Sequence, residues 1–215
     1  KIIDIHKKQN ETDKALAVYN QLIEIAPFDI SFKEQQIELY RSSRRIDEAF
    51  DKTLALIEFL ESRKENDKLI DKLRFALSMK PDAENLIIRL ADILHRLKRF
   101  KDASEEYFRA YEVLRQKEKP EQAAAQLQRC LDINPDDRRA LFKLGETLML
   151  LGDQRKALQN FKKLAGILLE ESLLEEAETV LNKIIEIQPD DINTLTQLAD
   201  VYNRLGFENE VVATY

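Results

Sequence analysis

The sequence predicts an all-α array of stacked helical repeats, on three observations. First, Pro27, Pro81, Pro135 and Pro189 stand a constant 54 residues apart (81 less 27, 135 less 81, 189 less 135). Second, their surroundings agree: Ile25-Ala26-Pro27, Met79-Lys80-Pro81-Asp82, Ile133-Asn134-Pro135-Asp136 and Ile187-Gln188-Pro189-Asp190. A fixed period of this size marks copies of one supersecondary unit that must stack to bury its apolar face. Third, 215 residues include only 4 Gly, 5 Pro and no Trp, with 44% hydrophobic and 34% charged residues. So few helix breakers among so many Leu, Ala, Glu and Lys favour helix throughout.

The elements follow in order within each unit, counted from the residue after its proline. The ninth and tenth positions read Leu90-Ala91, Leu144-Gly145 and Leu198-Ala199, and the thirteenth Tyr40, Leu94, Leu148 and Tyr202. These spacings line one face of a first helix. Gly152 and Gly206 then occupy a break, where glycine tolerates the left-handed conformation that ends a helix. Arg44 and Lys98 hold the same place in the two preceding units. A second helix carries Ala49, Ala103, Ala157 and Val211, then Tyr107, Phe161 and Tyr215, with Thr53 departing from the pattern. The small residues of the two helices are expected to face one another, with the aromatic filling the gap to the next helix.

A third helix has Ala15, Leu69, Ala123 and Ala177, then Tyr19, Leu73, Leu127 and Leu181, before the proline that closes the unit. Pro120 suits its first turn, and Glu175 and Glu176 suit the positive helix end one unit later. Asp82, Asp136 and Asp190 are the expected caps of the next helix. Helices are thus predicted near 29–43, 46–61, 67–79, 83–97, 100–117, 120–133, 137–151, 154–170, 173–187 and 191–205. Residues 1–215 read as one array with units 1–27 (partial), 28–81, 82–135, 136–189 and 190–215 (partial).

The charge bounds the function. A net charge of −6 disfavours general binding to nucleic acid or an anionic membrane. No stretch approaches the roughly 18 apolar residues of a membrane span. The single Cys130 allows no internal disulfide, and a cytoplasmic setting is expected. The chain begins Lys-Ile-Ile and ends at Thr214-Tyr215 within a helical pattern, so a fragment lacking the natural N-terminus is expected. Its cut ends would expose apolar helix surface, a route to self-association.

Leu144-Gly145-Glu146-Thr147-Leu148 through Gly152-Asp153, Ala157, Phe161 and Leu164 resembles a tetratricopeptide repeat. Leu198-Ala199-Asp200-Val201-Tyr202 through Leu205-Gly206 resembles it too, and Ala177, Leu181 and Pro189 match its second half. That family repeats about every 34 residues with two helices. Here one more helix is added, and the middle helix can serve two hairpins, since Leu164-Ala165 precedes Ala177 at the offset separating Gly145 from Ala157. Residues 28–50 fit worst, with Gln36-Ile37 in place of Leu-Ala.

The resemblance implies a right-handed α-solenoid whose first helices line an inner groove for a partner peptide or helix. Carried over by position, that wall would show Glu34, Glu38 and Arg41, then Ile88, Asp92 and His95, then Phe142, Glu146, Met149 and Leu150, then Thr196, Asp200 and Asn203. Glu38, Asp92, Glu146 and Asp200 would form an acidic ladder: a track for a basic or amphipathic segment, or a solvated face. Phe142, Met149 and Leu150 read either as groove or as core. The carboxylate clamp known in the family needs Lys and Asn where this chain has Ile88/Asp92 and Phe142/Glu146, against chaperone tails as ligands.

Enzymatic signals are lacking. His6 and His95 have no Cys or His at ligand spacing, and no phosphate loop or nucleophile elbow occurs. No metal or cofactor is expected, and Cys130 reads as a buried small hydrophobe. His95-Arg96-Leu97-Lys98-Arg99-Phe100-Lys101 is the densest basic cluster, with Arg115, Lys117 and Lys119 as its expected extension and residues 170–178 of opposite sign. The function expected is a non-enzymatic protein-interaction scaffold. Rival readings are a regulatory region of a larger enzyme or sensor, and a bacterial polarity, motility or envelope-assembly adaptor recruiting a Ras-like GTPase. A nucleic-acid-binding repeat is opposed by the acidic charge.

Overall fold

The computed structural model describes residues 2–9 and 11–207. Among these residues there are twelve helices and no strand: α1 (Ile2–Lys8), α2 (Thr12–Ile25), α3 (Ile30–Ser42), α4 (Ile46–Ser62), α5 (Asn66–Met79), α6 (Glu84–Arg96), α7 (Phe100–Gln116), α8 (Pro120–Ile133), α9 (Arg138–Leu150), α10 (Gln154–Glu170), α11 (Leu174–Ile187) and α12 (Ile192–Leu205). Helix starts recur with the sequence period: 30, 84, 138 and 192, then 46, 100 and 154, then 12, 66, 120 and 174. Predicted and observed ends differ by no more than one residue from α3 onward. Val211, Tyr215 and the second helix of the last partial unit lie outside the described residues.

Three different turns separate the helices, and each has its own cause. After the first helix of a unit the chain turns through a left-handed residue, Gly152 (φ 77°) or Gly206 (φ 81°), and Arg44 and Lys98 adopt the same conformation at 60° and 59°. After the second helix Lys64, Glu118 and Ser172 do so as well. The third turn is made by proline. Ala26, Lys80, Asn134 and Gln188 sit at φ between −128° and −136°, outside the helical region, because a following proline disfavours it.

The caps fall one residue later than expected. Asp137 accepts the Ala140 N–H at 3.1 Å, and Asp191 accepts the Thr194 hydroxyl at 2.7 Å. Asp136 and Asp190 lie outside those caps, since the helices begin at Arg138 and Ile192.

Compact packing divides the chain into two units, Lys1–Ile93 and Leu94–Tyr215. In the first unit α2 packs on α3, α3 on α4 and α4 on α5; in the second α7 packs on α8, and so on through α12. Short connections make each neighbouring pair antiparallel. Ion pairs then join every second helix. In the first unit Arg45 reaches Asp13 (2.8 Å, α2 to the α4 cap), Lys72 reaches Glu34 (2.6 Å, α3 to α5), and Arg89 pairs with Glu61 (α4 to α6). In the second unit Arg139 reaches Glu105 (3.4 Å, α7 to α9), Arg138 reaches Glu176 (3.9 Å, α9 to α11), and Lys162 reaches Asp191 (2.6 Å, α10 to the α12 cap).

Each unit is therefore two layers, odd helices in one and even helices in the other. A sequence period of three helices running through an alternation of two puts equivalent helices in opposite layers.

Between the layers the core conserves volume. A Cβ built on Gly145 of α9 would lie 2.5 Å from the Phe161 ring of α10, so the aromatic fills space on its own hairpin partner rather than toward the next helix. One unit's equivalent pair reverses the sizes: bulky Ile37 on α3 and small Thr53 on α4, both buried. The Thr53 hydroxyl is satisfied by the Ala49 carbonyl at 2.7 Å. Gln36, the other misfit, is buried and donates to Asn20 at 2.6 Å, which makes a polar residue tolerable there.

Candidate partner-binding clefts

Helix α9 stands between two clefts in the second unit. The larger, about 650 Å³, takes Tyr111 from α7, Met149 and Leu150 from α9, Phe161 from α10 and Ile187 from α11. Charges rim it: Arg115, Glu118, Glu146, Lys183 and Glu186. The smaller, about 530 Å³, is floored by Phe108, Phe142, Leu164, Leu168 and Val180. Its rim carries Arg138, Arg139 and Lys143, with Glu112 and Glu176 opposite. Arg139 lies 4.5 Å from the Phe108 ring centre, a cation–π contact that holds the guanidinium against the cleft wall.

Of the residues anticipated for a groove wall, the structure gathers Phe142, Glu146, Met149 and Leu150 on α9. They do not share one cleft. Phe142, half-buried, turns to the smaller one and meets Phe161 edge-on at 6.0 Å. Glu146, Met149 and Leu150 turn to the larger, and Leu150 is 80% exposed there. Glu38 lines a cleft of about 390 Å³ in the first unit with Glu34, Lys72 and Phe75. Ile88 and Asp92, both half-buried, belong to α6 in that unit's even layer. Thr196, Asp200 and Asn203 are exposed on α12, in the even layer of the second unit, and line neither cleft. The four first helices thus do not make one wall within either unit.

Three rungs of the expected acidic ladder are held in ion pairs rather than standing free. Glu38 pairs with Arg41 (3.0 Å), Glu146 with Lys143 (2.8 Å) and Asp200 with Arg204 (3.7 Å), each on its own helix. Such exposed pairs contribute little to stability, roughly 0–1 kcal/mol, but they neutralise the face. What sequence reasoning missed is the contribution of α7 and α11, the neighbours of α9 in its layer. The signal was present, since a period of three helices cannot match a two-layer packing.

The remaining candidates resolve simply. Residues 95–101 are all exposed, and His95 meets Phe100 at 5.5 Å. Arg115, Lys117 and Lys119 lie at the far end of α7 and do not extend the cluster, because a 17-residue helix is about 25 Å long. His6 pairs with Glu11 at 2.7 Å, and Lys14 first, then His6, holds that carboxylate below its ordinary range. Cys130 is fully buried with its Sγ 3.5 Å from the Ser104 carbonyl, and burial pushes its pKa up to about 11. Among the described residues no group of His, Cys, Asp and Glu is arranged to hold a metal ion, and no helix is long and apolar enough to cross a membrane.

Family profiles described as tetratricopeptide repeat match residues 112–166, from α7 to α10, and residues 4–29, across α1 and α2. The chain carries tetratricopeptide repeats. Its helix starts recur every 54 residues rather than at the family's two-helix period of about 34.

No curated protein matches the sequence. Among solved structures, MamA is 17% identical over 74% of this chain and 89% of that chain, with a TM-score of 0.30. BtubC from P. vanneervenii is 14% identical over 95% and 85%, with a TM-score of 0.35. A tetratricopeptide repeat protein from Parabacteroides merdae is 18% identical over 77% of each, with a TM-score of 0.28. At such scores these likenesses say nothing about what this tetratricopeptide repeat chain binds.

Proposed function

We propose that this chain is a non-enzymatic protein-interaction scaffold, working in a reducing cytoplasm, that grips a peptide or helix of a partner protein along α9. The observation that supports it is Leu150: a large apolar side chain 80% exposed beside Met149, at the mouth of a cleft with an apolar floor. Exposed apolar surface of this kind marks contact sites. Methionine beside it adapts to varied side chains. The cleft is built on packed helices, which limits the ordering cost of binding.

Leu150→Asp is expected to weaken partner capture about tenfold, the loss of one interface anchor. The thermal midpoint should change little, because an exposed substitution shifts stability by about 0.5 kcal/mol or less. A photocrosslinking residue at 150 in the full-length protein should join a partner, and one at 203, in the other layer, should not. Equal crosslinking at both positions would count against the cleft. Phe142→Ala is the poorer probe, since Phe142 also packs on Phe161.

A further inference from the structure

We propose that the chain self-associates through one end of its second unit, the basic α6–α7 turn of one copy seated on the acidic α10–α11 turn of another. This surface adjoins the smaller cleft, with which it shares Arg138, Arg139 and Glu176, and is separate from the larger one that holds Leu150. Helices α7, α9 and α11 lie in one layer and point the same way, so the turns leading into them share one end of that layer. The first of these turns is basic. Arg96, Lys98 and Lys101 are exposed and make no ion pair among the described residues, while Arg99 is held by Asp102 at 2.6 Å. Leu97 and Phe100 among them are 37% and 46% exposed.

The last of these turns is acidic. Glu170, Glu175 and Glu178 make no ion pair among the described residues, and half-buried Leu173 and Leu174 lie between them. Two cations stand nearby: Arg138, which takes up Glu171 at 3.0 Å and Glu176 at 3.9 Å, and Arg204, which donates to the Ser172 hydroxyl and pairs with Asp200. Arg138 offsets one of the five carboxylates from Glu170 to Glu178, and Arg204 is matched by Asp200, so the turn stays strongly negative. With Arg138 counted on the acidic side, the middle turn carries Asp136, Asp137 and Arg139, and Lys163 of α10 pairs with Asp136 at 3.0 Å, which again makes two charges of each sign.

The end therefore reads positive, neutral, negative across α7, α9 and α11, with apolar side chains inside both charged patches. A surface of that pattern is complementary to itself. A two-fold axis at the neutral middle sets each basic turn on the partner's acidic turn, twice over, as an isologous contact requires. A second copy is the occupant that matches both patches at once. An acidic peptide or an anionic membrane would engage only the first.

The test is sedimentation of the 215-residue chain at low and high salt, with charge reversals. The wild type is expected to dimerise at about 20 mM NaCl and to weaken at least tenfold by about 500 mM, where the Debye length has shrunk to a few ångströms. Arg96→Glu with Lys101→Glu should be monomeric, and so should Glu170→Lys with Glu175→Lys, each with an unchanged thermal melt because these four sites are exposed. Mixing the two variants should restore a dimer, since both contacts become complementary again. A wild type that stays monomeric at low salt overturns the proposal. So does a dimer that survives either reversal, and an assembly larger than two overturns the two-fold arrangement.

Discussion

Truncating Phe161 to alanine is expected to lower stability by about 3–5 kcal/mol, the usual cost of removing a buried aromatic ring. The ring is fully buried, lies edge-on to Phe142 at 6.0 Å, and occupies the space that the missing side chain of Gly145 leaves on α9. Glycine inside a helix costs roughly 0.5–1 kcal/mol relative to alanine, so its presence here reflects the ring rather than helix propensity. The converse substitution, Gly145→Val, should cost about 1–3 kcal/mol by overpacking. With Phe161→Leu already in place that penalty should shrink, because the colliding ring atoms are gone. Urea denaturation of the two single variants and the double variant measures this coupling. Strictly additive losses would mean that the two residues do not compete for one space.

Native Cys130 is expected to react with iodoacetamide at pH 8 at least about a hundredfold more slowly than in denaturant. The thiolate is the reactive form, and a pKa raised to about 11 from an ordinary 9.0 leaves little of it. Burial against the Ser104 carbonyl adds a barrier of access. The same shift has a definite sign in stability. Below the ordinary thiol pKa both states keep the proton and Cys130 contributes no pH dependence. Between about 9 and about 11 the unfolded chain releases the proton while the native chain retains it, so stability falls as pH rises. Cys130→Ala should remove that part of the alkaline slope. Equal alkylation rates in native and denaturing buffer would contradict the burial.

The helices were legible because their punctuation is chemical. Pro81, Pro135 and Pro189 force the preceding residue out of the helical region, and Gly152 and Gly206 mark left-handed turns, so the map from α3 onward could be drawn from residues alone. Cys130 could be read the same way, whereas Phe161 was expected in the gap to the next helix and instead fills the space at Gly145. The site was less legible, for a geometric reason. Positional equivalence put Glu38, Asp92, Glu146 and Asp200 on one wall, but equivalence along the sequence returns every third helix and neighbourhood in space every second. Pairing of Glu38, Glu146 and Asp200 with Arg41, Lys143 and Arg204 on the same helices depends on rotamers that spacing does not specify. The repeat does separate Leu148 from Leu150: Leu148 is buried and its place holds Tyr40, Leu94 and Tyr202 in the other units, while Leu150 is 80% exposed and its place holds Ser42, Arg96 and Arg204.

The two-layer alternation is tested most directly by zero-length carbodiimide crosslinking of the dilute chain in high salt, read by mass spectrometry. Lys72–Glu34 and Lys162–Asp191 join helices two apart at 2.6 Å each, so both should yield crosslinked peptides. Lys143 on α9 and Asp200 on α12 belong to opposite layers of their unit and should give none. A Lys143–Asp200 crosslink, with the other two missing, would place every third helix on a common wall and contradict the account.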